Sequence, residues 1–453
     1  MEEYRGFINI NKVDYHFIFD NFVLRIFAGK DETLKLEHII SIINNGVLHL
    51  SNLLLPNNDI FVFVDKCKIG YIGSIGNEFH VYAMGFVSRN RYNDDFSLEK
   101  MPIDRCIKVE SLLIRHPILD CFFSDDELLL HRCVMALAKH EPDLNIKLDI
   151  EEREIFDLSV NGKAYNFEFG VTVECDYYEK SMPYTLLNYI KINVDAIGLN
   201  ELIKIVEIVK LFLSFISQSR TVNLEPILIN IRQSFPYCDG KLYLRPDGNG
   251  AFSKSRVLRY EDIQLGISRI FEQILHNKIC FRSLLNVEHD KIQLYDIINV
   301  CAAFESQFKS TNPKFKDNAQ KAVRRKMYAD LATHRKNYSC GEQTYFDKIL
   351  KFLNTYNDIL LQRLETALNE FVEIHGEFAT KTTFKADYEV MPKRIKDARD
   401  ALAHGNNAHK ITEATLTDVL LLRAITYMLI LQDAKIHRDN IKSCLLRMSL
   451  FAL

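Results

Sequence analysis

Pro246-Asp247-Gly248-Asn249-Gly250 divides this 453-residue chain into two periodicities. Five turn formers in a row let neither a strand nor a helix continue through them. Upstream, short runs rich in Phe, Val, Ile and Tyr alternate with turn signals: FINI (7–10), YHFIF (15–19), FVLRIF (22–27), GVLHLSNLLL (46–55), IFVFV (60–64) and HVYAMGFV (80–87). They read as strands of a mainly antiparallel sheet or sandwich. A stretch of helical spacing at 125–139 closes this first lobe, and strands resume at 144–150, 154–160, 165–175 and 189–194. An amphipathic helix over 199–217 and two strands, 226–231 and 241–244, complete the first half.

Beyond Gly250 the apolar period changes from two to about 3.6 residues. Helices are expected at 259–285, 291–309, 317–335, 343–374, 392–404 and 415–436, with Thr415 and Asp418 resembling a capping box in the last. The expected fold class is therefore α+β, a β-rich N-terminal region followed by an all-α helix bundle. Three domains are expected: a β-rich lobe at 1–140, a second β-rich lobe with one amphipathic helix at 141–250, and a helical domain at 251–453.

The hydrophobic content of 47% suffices for real cores. Net charge is -3 overall, but residues 1–250 hold 26 basic and 36 acidic side chains and residues 251–453 hold 31 and 24, so the two parts stand at -10 and +7. A polyanion is drawn to the second part. The ten cysteines form no CxxC, which argues against a zinc knuckle or redox pair and suits a reducing cytoplasm. The start lacks the cationic region of a signal peptide. The longest apolar run, VLLLRAITYMLIL (419–431), is too short for a bilayer and contains Arg423, so no membrane span is expected.

Chemistry concentrates in Arg399-Asp400-Ala401-Leu402-Ala403-His404, followed by Gly405. Met391, Ile395, Ala398 and Leu402 gather on one apolar face, Pro392 suits a first helical turn and Gly405 a C-terminal stop. At about 100° per residue, Arg399 borders that face and His404 stands above Asp400 at i+4, with only Ala403 between arginine and histidine. A phosphate fits such a groove. Metal-free RNA cleavage requires a group that exchanges protons with the 2′-hydroxyl or the leaving 5′-oxygen, which His404 can supply. It also requires a fixed cation for the charge gathering at phosphorus, which the fork of Arg399 can supply. Asp400 can orient the imidazole. The expected product carries a 2′,3′-cyclic phosphate. Two fixed positions also occur by chance at ordinary helix ends, so the motif draws its weight from its setting.

A second cationic group comprises Lys314, Lys316, Lys321, Arg324, Arg325, Lys326, Arg335 and Lys336, with Tyr328 and Tyr338 interleaved. It suits a single-stranded RNA path or a solvated helix face. Lys393 and Lys396 share the projected side of Asp400 and His404 and are placed to hold flanking phosphates; Arg394 points elsewhere. His409 is an alternative to His404 or an exposed histidine without a role. No P-loop is present, and Gly70, Gly73 and Gly76 depart from the dinucleotide fingerprint. Neither Asp125-Asp126-Glu127 with His131 nor Glu141, Asp143, Lys147 and Asp149 makes a persuasive metal site, so no metal and no cofactor are expected.

The arginine, polar residue and histidine of 399–404, within a helical region from about Ser255 onward, resemble the HEPN superfamily of helical ribonucleases, specifically its ApeA-like members associated with bacterial anti-phage defence. That resemblance implies a metal-independent endoribonuclease acting as a homodimer in which both motifs line one cleft. It also implies growth arrest during infection, structured cellular RNA such as tRNA as substrate, and a phage-derived trigger sensed by the N-terminal region. The rival expectation is a non-catalytic module that binds RNA or a nucleotide.

Overall fold

The computed structural model describes residues 3–10, 13–27, 46–52, 58–69, 78–90, 108–123, 155–160, 162–175, 184–232, 238–248, 250–281, 294–313, 315, 318–355, 359–381, 388–403 and 411–448. It has two compact units, one of 1–275 with 286–288 and the other of 276–285 with 289–453. The helix expected at 125–139 and the strand expected at 144–150 lie outside the described residues.

Among the described residues, the first unit is built on one antiparallel sheet of twelve strands: β1 (Tyr4–Ile10), β2 (Val13–Asp20), β3 (Val23–Phe27), β4 (Val47–Asn52), β5 (Asn58–Ile69), β6 (Glu78–Asn90), β7 (Lys108–Arg115), β8 (Ile155–Val160), β9 (Lys163–Cys175), β10 (Tyr184–Ile197), β11 (Ile227–Arg232) and β12 (Cys238–Leu244). Their order is β3-β2-β1-β4-β5-β6-β12-β11-β7-β10-β9-β8, with β3 also paired to β6. That extra pairing, Val23 opposite Tyr82 through Phe27 opposite Glu78, closes the first six strands into a barrel. Alternation explains why it closes. Tyr15, Phe17 and Phe19 of β2, Leu24 and Ile26 of β3, and Val62 and Val64 of β5 are buried together, while the residues between them on β2 and β3 face outward.

On the edge away from β5, β6 is long enough to serve two further neighbours, giving residues 78–82 to β3 and residues 85–89 to β12. The sheet therefore runs without a break through both ranges expected as separate lobes. One side of its second half is covered by α1 (Pro117–Phe122), α2 (Leu199–Ser217), α3 (Tyr260–Ile263) and α4 (Ile267–Leu275). α2 has the bounds expected from its periodicity. The first unit extends through Leu275 rather than ending at Gly250, and aromatic packing supplies the reason. Phe271 of α4 lies 4.5 Å from Phe212, 5.1 Å from Phe167 and 5.2 Å from Phe156 between ring centroids. The turn at 246–250 is itself stitched into this unit. Asn223 donates to Gly248 O at 2.7 Å and accepts from Asp247 N at 3.0 Å, and Lys210 pairs with Asp247. Gly250 has φ of +62°, and a Cβ there would meet the Asn223 side chain at 2.7 Å.

His116 caps α1 and ties it to the same loop. Its Nδ1 accepts from Ile118 N, and its Nε2 donates to Asn223 O, both at 3.1 Å. Burial pushes its pKa down to about 4, against a weaker upward pull from the Asn223 carbonyl. Protonating Nδ1 would also set one donor against another. The unfolded chain therefore takes up a proton at His116 between about pH 6.5 and 4 that the folded chain refuses. Stability from this residue is complete above about pH 6.5 and is lost as pH falls toward 4, at most about 3 kcal/mol. Urea titrations of the first unit's transition at stepped pH are expected to show that slope in the wild type and to lose it in His116→Asn.

The second unit is helical: α5 (Leu294–Thr311), α6 (Asn318–His334), α7 (Cys340–Thr355), α8 (Ile359–Lys381), α9 (Met391–Ala403), α10 (Glu413–Asp433) and α11 (Arg438–Leu446). The helix expected at 343–374 is described as α7 and α8, with 356–358 outside the described residues. α11 was not foreseen; it is short, and only Ile441, Cys444 and Leu445 bury an i, i+3, i+4 stripe.

α10 is the core helix and packs on α5, α8, α9 and α11. It spans 21 residues, long and apolar enough to cross a membrane, so the length argument made for 419–431 does not hold; 78% of its apolar window is buried inside the protein. Its capping box is Thr412 with Thr415, not Thr415 with Asp418. Thr412 Oγ1 accepts from Thr415 N at 3.3 Å, and Thr415 Oγ1 accepts from Thr412 N at 3.2 Å. Asp418, one turn further on, is buried and engaged elsewhere.

Candidate functional site

α9 carries the arginine of the motif. Met391, Pro392, Ile395, Ala398 and Ala401 form its buried face against α5, α8 and α10, whereas Leu402, expected inside, is only half-buried. Arg394 faces α10 and binds Asp418 with both arms of its fork, Nε to Oδ2 at 2.7 Å and NH2 to Oδ1 at 2.9 Å. Arg394 is thus engaged within the bundle, a role not foreseen when its direction on the helical projection set it apart from Lys393 and Lys396.

Arg399 stands at the border of the buried face with its side chain 40% exposed. NH1 donates to Asp400 Oδ1 at 3.0 Å, and NH2 lies 3.6 Å from Glu305 Oε1 of α5. Glu305 Oε2 is 3.9 Å from Arg363 NH1 of α8. Lys396 Nζ lies 3.9 Å from Asp400 Oδ2, one turn below. Three helices thus bring Arg363, Lys396 and Arg399 around Glu305 and Asp400. One positive charge is in excess, which suits a phosphodiester.

Cys301 sits one turn before Glu305 on α5 and is buried. Burial pushes its thiol up to about 12, helped by the negative charge of Glu305. It is therefore an un-ionised core thiol and not a nucleophile.

Of the residues expected to act together, Arg399, Asp400 and Lys396 are gathered, and Lys393 is exposed on the same helix. Asp400, expected to hold the imidazole, has its carboxylate on Arg399 and Lys396. His404 follows Ala403, the last described residue of α9, and lies outside the described residues, as does His409. Glu305 and Arg363 were not foreseen. Each lies on a different helix, distant from Arg399 in the chain, and no local spacing links either to it.

Of the second cationic group, Lys321, Arg324, Arg325 and Lys326 fall on α6 and Arg335 and Lys336 on the turn after it, while Lys314 and Lys316 lie outside the described residues. Arg325 and Lys326 are exposed; Arg324 belongs to α6, but its side chain is outside the described residues. Tyr328 and Tyr338 are exposed as well, and Tyr345 of α7 joins them with Lys348 Nζ 5.5 Å from its ring centroid. Arg335, in contrast, is committed to Asp347 through two 2.8 Å contacts. Among the described residues, α6 and α7 pack mainly on each other, and most of their described side chains are exposed.

Residues 298–440 match the family model described as Apea-like HEPN. The match covers about a third of the chain, starting inside α5 and ending inside α11, and includes Glu305, Arg363 and the whole 399–404 motif. The second unit therefore carries an Apea-like HEPN domain. No curated protein and no solved structure matches the chain. HEPN families include ribonucleases, so the coarse class supported is a nuclease-type or RNA-related role in defence.

Proposed function

We propose that the second unit is a metal-independent endoribonuclease with Arg399 and His404 at its centre. The observation that carries this reading is the state of Arg399. Its fork is engaged on one side by Asp400 and Glu305 and left open to solvent on the other, within the region matched to a HEPN family. The open donors suit the non-bridging oxygens of a phosphodiester. The 2′-oxygen attacks phosphorus, the bond to the 5′-oxygen breaks, and the products are a 2′,3′-cyclic phosphate and a 5′-hydroxyl. His404 exchanges the proton lost by the 2′-hydroxyl or gained by the 5′-oxygen, and Arg399 stabilises the charge on phosphorus. No step calls for a cofactor.

A homodimer that sets two copies of the motif along one cleft supplies a second imidazole, so one histidine serves as base and the other as acid. Lys393 and Lys396 hold flanking phosphates. Arg324, Arg325 and Lys326 with Tyr328, Tyr338 and Tyr345 form an outlying track for unstacked RNA, where cations meet phosphates and rings meet bases. The acidic first unit repels RNA and serves as the sensor, with a phage-derived component as trigger, cytoplasmic RNA such as tRNA as target and abortive infection as outcome.

The test is incubation of purified full-length protein with total RNA in excess EDTA, with and without phage lysate, followed by analysis of the new ends. Cleavage that leaves 2′,3′-cyclic phosphates supports the reading; binding without cleavage under every condition replaces it with a binding module. The outlying track makes its own forecast. Arg325→Glu with Lys326→Glu is expected to weaken RNA binding about tenfold or more at low salt and to lower the salt slope by about two. An unchanged slope removes these residues from the RNA path.

A further inference from the structure

We propose that Glu305, held between Arg363 and Arg399, is a positioning residue that aims the Arg399 fork at the scissile phosphate; this rests on the ribonuclease reading above. Asp400 cannot do this alone, because it is the next residue on the same helix and moves with Arg399. Glu305 projects from α5 and ties the guanidinium to the body of the bundle, with its Oε1 3.6 Å from Arg399 NH2. Its other oxygen faces Arg363 NH1 at 3.9 Å.

Arg363 is the more buried cation, 14% exposed against 40% for Arg399, and its Nε has no hydrogen-bond partner among the described residues. Keeping a guanidinium there is costly unless it holds something in place. What it holds is Glu305. The carboxylate is in turn three-quarters buried, and Cys301, apolar and un-ionised, occupies the turn beneath it on α5. The carboxylate therefore has few positions open to it, and Arg399 inherits that restriction.

Charge separates positioning from simple binding. With Glu305 ionised, the five charged side chains carry one net positive charge, which a phosphodiester neutralises. Glu305→Gln keeps the shape and raises the excess to two. Ground-state attraction for RNA then rises while the Arg399 fork loses its orientation, and misorientation of a catalytic group by about 1 Å costs on the order of a hundredfold in rate. The cleavage rate and the dissociation constant are thus expected to change independently, which a loss of folded protein would not produce.

Single-turnover cleavage of an oligoribonucleotide and fluorescence anisotropy with its fully 2′-O-methylated, uncleavable counterpart test this on full-length wild type, Glu305→Gln, Glu305→Asp and Arg363→Lys, each with a thermal melt. Glu305→Gln is expected to lower the cleavage rate about tenfold to a hundredfold. It is expected to leave Kd unchanged or tighten it by up to about fivefold. Glu305→Asp recovers a large part of the rate, and Arg363→Lys falls between. Wild-type cleavage matched by Glu305→Gln overturns the positioning role and leaves the ribonuclease reading intact. The positioning role falls equally if Glu305→Gln loses rate only in proportion to lost folded protein and Glu305→Asp is no better. Wild-type protein that cleaves no RNA overturns both.

Discussion

Arg399→Ala and His404→Ala are each expected to abolish RNA cleavage by the full-length protein in EDTA while leaving its fold and oligomeric state unchanged. Removing one preorganised donor from the site of developing charge costs about a hundredfold to a thousandfold in rate. Removing a general acid or base costs about a hundredfold to ten-thousandfold. Either loss takes a slow nuclease below detection, and the double variant is expected to be no worse than the poorer single, because residues acting on one phosphate form a unit. Arg399→Lys should fail nearly as badly, since an ammonium cannot meet two phosphate oxygens in a plane while also contacting Asp400 and Glu305. Stability should barely move. Arg399 is 40% exposed and its ion pairs are of the solvent-screened kind, worth about 1 kcal/mol or less. Full activity in either variant would show that the phosphate is cut elsewhere, and the binding reading of 399–404 would then stand alone.

The parts of this molecule legible in the sequence are those whose cause is local. Alternation in β2 and β3, the 3.6-residue stripe of α2 and the turn at 246–250 can each be read within a short window of the chain. The closure of the first six strands could not. It depends on β3 reaching β6, and nothing in either strand announces the partner. The same limit explains the boundary. α4 is amphipathic like any bundle helix, and only the rings of Phe156, Phe167 and Phe212 claim it for the sheet. At the candidate site, Arg399, Asp400 and Lys396 were found because i+1 and i+4 relations are written in the chain. Glu305 and Arg363 come from other helices, so only the packed bundle brings them in. Asp418 shows how a local signal misleads: an acid three residues after a threonine resembles a cap, yet tertiary contact with Arg394 takes it instead.

That contact supports the second large forecast. Arg394→Met is expected to destabilise the helical unit by about 3 kcal/mol, near the lower end for breaking a buried pair. The carboxylate left behind is the reason. Asp418 is 3% exposed, and the substitution removes two charge-assisted hydrogen bonds from it, whereas Arg394 itself is 22% exposed and returns easily to water. For a unit of this size the thermal midpoint should fall by roughly 6–12 °C. Arg394→Lys should recover little, because the site uses the planar fork at 2.7 and 2.9 Å. Arg394→Met with Asp418→Leu should recover most of the loss, since an apolar pair of similar volume imposes no desolvation penalty. Activity should follow stability in this series, in contrast to the Arg399 variants. Arg394 lies on α9 before Arg399 and anchors that helix to α10, so a slack anchor lets the motif drift, and the apolar pair restores it. A double variant as unstable as the single would show that Asp418 holds α9 through some other contact, and Arg394 would lose its place as the anchor of the motif helix.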